Sequence, residues 1–157
     1  MNVAIGCDEA ACELKTLIGE HLRSQGHEVT DFGCHRDEQV LYPHIGIAVA
    51  EAVIQGRHER AVLMCGTGIG MAISANKVPG IRAAQAHDTY SAERAIRSNN
   101  AQVITLGSRV VGPELAKAIV DRYLAASFDG GRSTTKLAVI AAYEERRSAH
   151  RTQPGRL

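Results

Sequence analysis

Cys65 stands at the end of the apolar run Ala61, Val62, Leu63 and Met64, and Gly66, Thr67, Gly68, Ile69 and Gly70 follow it at once. An apolar run, a glycine-rich turn and a helix-like segment in that order place a thiol at the carboxyl end of a strand. The same order puts it beside the amino end of a helix. The unpaired N–H groups of a helix start favour negative charge, and such a field favours a thiolate over a thiol. One short segment thus offers a base or nucleophile together with a cradle for an oxyanion. The bland alternative is that Cys65 is a small buried hydrophobe. The glycine turn weighs against it, because a structural cysteine does not need one. A dinucleotide loop fits less well. Met71 stands where the third glycine of G-x-G-x-x-G belongs, the turn follows the third strand, and no Gly-Lys-Ser/Thr follows.

Other polar residues are candidates by position. Asp8 and Glu9 are adjacent carboxylates, suited to capping a helix or to binding substrate hydroxyls. Arg109, Arg132 and Lys136 are candidate phosphate contacts, the last two spaced to share a helix face. Asp8, Glu9, His44, His87 and Asp88 show no recognisable metal-ligand spacing, and no metal or cofactor is expected. His21, His27, His58 and His150 read as surface residues.

The elements that position these groups follow from periodicity. Apolar β-type runs cover 2–6, 28–32, 61–64, 81–85 and 102–106. Helical spacing covers 12–23, 45–54, 70–76, 90–96, 113–124 and 133–147, with Ser133 as the expected cap of the last. Residues 33–41 read as a polar loop, and 148–157 as a frayed tail. Such alternation predicts a parallel sheet with helices on both faces. Ligands of open α/β sheets sit at the carboxyl ends of the strands. That rule gathers Cys7, Asp8 and Glu9; Cys65 to Gly70; His87 and Asp88; and Gly107, Ser108 and Arg109.

The 157 residues suit one domain spanning 1–147. A net charge of +1 and the absence of Trp argue against a nucleic-acid binder. No run approaches the ~20 apolar residues of a membrane span, and the first residues lack the pattern of a secretory signal. Cys7, Cys12, Cys34 and Cys65, with no CxxC pair, read as reduced thiols of a cytoplasmic protein.

The stretch Cys65-Gly-Thr-Gly-Ile-Gly, with Ile73-Ser-Ala-Asn-Lys-Val-Pro-Gly-Ile-Arg82, carries a family resemblance. Tyr42-Pro43, Ser91-Ala-Glu, Asn100, Gly107-Ser-Arg109-Val and Gly130-Gly-Arg132 fit it as well. From Met1 to about Arg147 the chain resembles the ribose-5-phosphate isomerase B and galactose-6-phosphate isomerase family. The resemblance implies a Rossmann-like three-layer α/β/α sandwich with a five-stranded parallel sheet. It also implies metal-free aldose–ketose isomerisation of a phosphorylated sugar in a homodimer, or a tetramer, with active sites between subunits. Cys65 matches the family's base, working through a cis-enediolate. The backbone of Gly66, Gly68, Ile69 and Gly70 matches the oxyanion cradle, with Thr67 in support. Asp8 and Tyr42 match substrate-hydroxyl contacts, and Asn100 a substrate or loop contact. Arg109 and Arg132 match phosphate ligands, and Lys136 takes the place of a second C-terminal arginine.

Two departures stand out. Glu9 replaces a histidine near the phosphate, and Asn99 replaces the histidine that helps open a furanose ring. A tetrose 4-phosphate cannot close that ring and needs no such histidine. The stretch from His87 to Gln102 also resembles the tetrulose-phosphate isomerase branch. The sequence reading is therefore an erythrose 4-phosphate/erythrulose 4-phosphate isomerase. The alternative is ribose 5-phosphate, with His87 opening the ring. The alternative of another class is a non-catalytic sugar-phosphate-binding subunit.

Overall fold

The computed structural model describes residues 1–35 and 38–152, with side chains as far as residue 149. Five strands form, β1 (Asn2–Cys7), β2 (Glu28–Asp31), β3 (Arg60–Cys65), β4 (Ala83–Gln85) and β5 (Val103–Gly107). They pair in parallel in the order β2-β1-β3-β5-β4. The helices are α1 (Cys12–Ser24), α2 (Tyr42–Ile54), α3 (Ile69–Ala75), α4 (Thr89–Arg97), α5 (Pro113–Ala125) and α6 (Arg132–Thr152).

Strands covered on both faces read as continuous apolar runs, and β3 and β5 are buried almost throughout. The period of two sorts their side chains between two cores. Val3, Ile5, Cys7, Val62, Met64, Ile104 and Leu106 pack with Ile18 and Leu22 of α1, Ile96 of α4 and Tyr123 of α5. Ala4, Ala61, Leu63, Cys65 and Val103 face the other way, onto Val49 and Val53 of α2 and Met71 and Ala75 of α3. The result is a three-layer, Rossmann-like sandwich. From β1 the chain steps outward to β2, then returns to place β3 on the other side of β1. The crevice beyond the ends of β1 and β3 is therefore the switch point at which α/β sheets bind ligands.

Several boundaries differ from the sequence reading. α2 begins at Tyr42, because Pro43 is tolerated in a first turn. β4 starts only at Ala83, since Ile81 N–H still closes a turn onto Val78 O at 3.1 Å. Ser133 does not cap α6. The helix starts at Arg132 after Gly130 and Gly131, both at positive φ (68° and 59°), so the two-glycine turn sets its start. α6 also runs past Arg147 to Thr152, since no helix breaker precedes Pro154. Residues 153–157 of the expected tail lie outside the described residues, as does the side chain of His150.

The surface assignment fails for His58, which is 8% exposed. Its Nδ1 is 2.8 Å from Asn2 Oδ1, and its ring meets Phe32 edge-on at 5.5 Å. His21 is half-buried, with Nε2 2.7 Å from Asp121 Oδ1 on α5. Burial, with a smaller contribution from Arg57, holds the His58 imidazolium below its ordinary 6.5. The unfolded chain then binds the extra proton first, so stability from neutral His58 is present above that value and is lost as pH falls through it. We expect the Tm of the native protein to drop between about pH 7.5 and about pH 5.5. The drop should be smaller in His58→Gln, as read by calorimetry across that range.

Candidate active site

The turn after β3 lies against the end of β5, backbone on backbone. Gly68 has φ +80°, and a Cβ there would sit 3.0 Å from the Leu106 carbonyl carbon. A Cβ at Gly107 would be 2.8 Å from Thr67 Cα. Two side chains from neighbouring strands tie the outward carbonyls of this turn. Gln85 Nε2 donates to Thr67 O at 2.6 Å, and the buried Thr105 hydroxyl donates to Gly68 O at 2.9 Å. With the carbonyls held outward, the N–H groups turn inward. Gly68 N–H donates to Cys65 Sγ at 3.0 Å, and Ile69 N–H to Thr67 Oγ1 at 3.3 Å. Cys65 is 5% exposed, at the floor of the crevice.

The rim comes from α2 and from the loops after β1 and β5. Tyr42 lays its ring over Gly70, where a Cβ would meet Cε2 at 2.6 Å. Ser108 N–H bonds to Cys65 O at 2.9 Å and Arg109 N–H to Gly66 O at 3.1 Å, which brings the Arg109 side chain over Gly66. Ser108 Oγ donates to Ala10 O at 2.8 Å and so joins the β5 loop to the β1 loop. There Asp8 caps a single 3-10 turn (Glu9–Ala11) and accepts Ala10 N–H at 3.0 Å. Burial raises the Asp8 carboxyl above its ordinary range, Glu9 adds to the rise, and Arg109 works against it. Glu9 itself is exposed.

Asp8, Tyr42, Cys65, Gly66, Thr67, Gly68, Ile69, Gly70 and Arg109 therefore share one edge of the sheet. Asn99, Asn100, Arg132 and Lys136 do not join them within the chain. Asn99 and Asn100 precede β5, whereas Cys65 pairs with Gly107 at its far end. At ~3.3 Å per residue, the length of β5 separates the two groups by roughly 17 Å. Asn100, in the turn after α4, sits at φ +44°, a conformation asparagine tolerates. Arg82 clamps this corner, donating from Nε to Asn99 O at 2.9 Å and from Nη2 to Asn100 O at 3.0 Å. Arg132 and Lys136 are exposed on α6. The segment before α6 is tied to the end of α4 by Asp129 N–H to Arg97 O at 3.1 Å.

His87 is half-buried after β4, and its Nε2 accepts Gly107 N–H at 3.0 Å. The neutral ring must then carry its proton on Nδ1. Asp88 caps α4 through Ser91 N–H at 2.7 Å, and that bond holds its carboxyl below the ordinary range. Among the described residues, no three His, Cys, Asp or Glu side chains come together as a metal site. Sequence reasoning missed Gln85 and Thr105. Their roles depend on which strands are neighbours, and no single segment of the sequence signals that order.

The sequence model of the Ribose/Galactose Isomerase family matches residues 3–140. The chain belongs to that family. This isomerase is 53% identical over 145 residues to D-erythrulose-4-phosphate isomerase of Pectobacterium atrosepticum, covering 92% of this chain and 95% of that one. It is 49% identical to ribose-5-P isomerase B of Listeria innocua, covering 93% and 99%. The ribose-5-phosphate isomerase B structure of Clostridium thermocellum superposes with a TM-score of 0.91 at 46% identity, covering 94% and 99%. The protein is an aldose–ketose isomerase of phosphorylated sugars. No helix among the described residues is long and apolar enough to cross a membrane.

The close approach at Gly68 is testable against Gly56, which has a similar φ of +75° but nothing within 4 Å of its would-be Cβ. Gly56→Ala should cost only the left-handed penalty of about 1–2 kcal/mol. Gly68→Ala should lower Tm further and reduce turnover, because the N–H aimed at Cys65 moves with the turn. Equal Tm losses for the two variants would show that the backbone approach is not tight.

Proposed function

We propose that this isomerase interconverts D-erythrose 4-phosphate and D-erythrulose 4-phosphate, and that a second copy of the chain completes each active site. Asn99 carries the substrate reading. An amide cannot supply the acid–base step of furanose opening at neutral pH, and a tetrose 4-phosphate has no ring to open. The first alternative donor, His87, has its Nε2 engaged by Gly107 N–H. The ribose 5-phosphate reading rests on the relatives that bear that name, and its opening step would fall to the Nδ1 side of His87.

In the proposed reaction Cys65 is the base. Its sulfur takes the C2 proton of the aldose, the electron pair moves onto the carbonyl oxygen O1 to give a cis-enediolate, and the O2 proton passes to O1. Return of the proton to C1 gives the ketose, so atoms and electrons balance within one substrate. The Gly68 N–H is a donor to the sulfur in its deprotonated form, and the turn from Gly66 to Gly70, supported by Thr67, meets the oxyanion. Asp8 and Tyr42 hold the sugar hydroxyls. Arg109 from one copy, with Arg132 and Lys136 from the other, holds the phosphate. Lys136 contributes charge but not the bidentate fork of an arginine.

The division of the site residues between two sheet edges supports the dimer. So do the exposed apolar residues: Tyr42, Ile69 and Ile73 near the crevice, and Val139, Ile140 and Tyr143 on α6. Among the described residues α6 packs broadly against no other element of its own chain, although Gly80 N–H donates to Glu144 Oε2 at 2.9 Å. We place the enzyme in the cytoplasm on the same reading, since all four cysteines are free thiols.

Side-by-side isomerisation assays should give a higher kcat/KM for erythrose 4-phosphate than for ribose 5-phosphate. A clear preference for ribose would reverse the substrate assignment. Cys65→Ala should abolish turnover while sugar-phosphate binding persists, whereas retained turnover would remove Cys65 as the base. Mixing inactive Cys65→Ala with crippled Arg132→Ala and reassorting subunits should restore about a quarter of wild-type activity, because one of two sites in each mixed dimer is intact. No recovery in a confirmed mixed dimer would mean that the two residues act in the same subunit.

A further inference from the structure

The three cysteines that isomerisation does not use, Cys7, Cys12 and Cys34, meet where β1 gives way to α1. Cys7 Sγ lies 3.9 Å from Cys12 Sγ. Both thiols reach one carbonyl, Cys34 O, at 3.6 and 3.5 Å, and Lys15 Nζ donates to that oxygen at 2.9 Å. Cys34 turns its own thiol elsewhere, onto Glu38 O at 3.0 Å and His35 O at 3.2 Å. Cys7 is fully buried, but Cys12 is half-buried and lines an open cleft of about 430 Å³ beside Lys15, Thr16, Asp31, Cys34 and His35. A small molecule reaching that cleft meets Cys12 first. Asp8 lies between the two cysteines in sequence, and the turn it caps is tied through Ala10 O to Ser108.

We propose that Cys7 and Cys12 form a reversible disulfide on exposure to a hydroperoxide, and that this bond withdraws Asp8 from the sugar. A disulfide needs sulfurs about 2.05 Å apart, so the pair must close by roughly 1.9 Å. The Cys12 thiolate attacks the peroxide O–O bond and becomes a sulfenic acid, and water leaves when the oxidant is hydrogen peroxide. Cys7 sulfur then attacks the sulfenic sulfur. The S–O bond breaks, and the departing hydroxide leaves as a second water with the Cys7 proton. Two thiols give up two electrons and two protons, and the peroxide accepts them. Burial pushes the Cys7 thiol well above the ordinary range and Cys34 up to about 11, and the half-buried Cys12, lining the open cleft, is the thiol a peroxide reaches first. Closing the pair pulls on both ends of the Asp8 loop and strains the Ser108 tie. This effect on turnover rests on the role proposed above for Asp8, but formation of the bond does not.

Tryptic digestion separates the thiols, since residues 1–15 contain Cys7 and Cys12 and no other cysteine, and residues 61–77 contain only Cys65. Full-length protein is titrated with hydrogen peroxide, alkylated, digested and weighed, with turnover measured in parallel. The expected result is a peptide 1–15 about 2 Da light and unalkylated, restored by dithiothreitol, at a dose that leaves peptide 61–77 fully alkylatable. Turnover should fall and recover with it, and Cys12→Ser should keep its turnover at the dose that halves that of the wild type. Two alkyl groups on peptide 1–15 after Cys65 has oxidised would overturn the proposal, as would a linkage of Cys12 to Cys34. A Cys7–Cys12 bond with unchanged turnover would overturn the coupling to Asp8. The bond in a protein inactive on every sugar phosphate would support the disulfide and sink the functional reading instead.

Discussion

The site depends on two backbones lying closer than side chains allow. The turn after β3 rests on the end of β5 because Gly68 and Gly107 each lack a Cβ where the other segment passes. That contact fixes which way the peptide units of the turn rotate. Thr105 and Gln85 take the carbonyls on one side, and the N–H groups are left facing Cys65 and Thr67. In the proposed reaction the chemistry of the crevice is thus an orientation imposed on main chain, to which Cys65 adds one atom.

The switch point sets where that orientation is useful. Because β1 and β3 are neighbours and the chain leaves them in opposite directions, their two loops open a gap instead of crossing it. Asp8 enters the gap from one side and the Cys65 turn from the other. Ser108 and Arg109, carried on the next strand, bridge the two loops through Ala10 O and Gly66 O. The loops are short and tied together, which suits a reaction that moves one proton between adjacent carbons.

The Cys65 turn was legible in the sequence because its signal is local: an apolar run, a cysteine and closely spaced glycines. The fold class was legible for the same reason, since each strand and helix announces its own period. Gln85 and Thr105 were not, because they act across strands that are distant in sequence, and strand order is not written in any single segment. His58 misled in a similar way. It follows a polar stretch and looks exposed, yet β1 and Phe32 close over it. α6 shows the opposite case. Its helical period was plain, but the start at Arg132 came from the paired glycines and not from Ser133. Among the described residues, Val139, Ile140 and Tyr143 stay exposed along the helix.

With no Trp and four Tyr residues in the sequence, the ultraviolet signal of this protein is a tyrosine signal, and the four rings sit in different surroundings. Tyr90 and Tyr143 are largely in solvent, and Tyr42 covers Gly70 at the mouth of the crevice. Tyr123 is fully buried, its hydroxyl donates to Ala101 O at 3.0 Å, and burial raises its phenol far above the ordinary range. Phenolate absorbance in alkali therefore separates solvent rings from the one that ionises only when the core opens. The chain carries a spectroscopic reporter of its own folding, with no label attached.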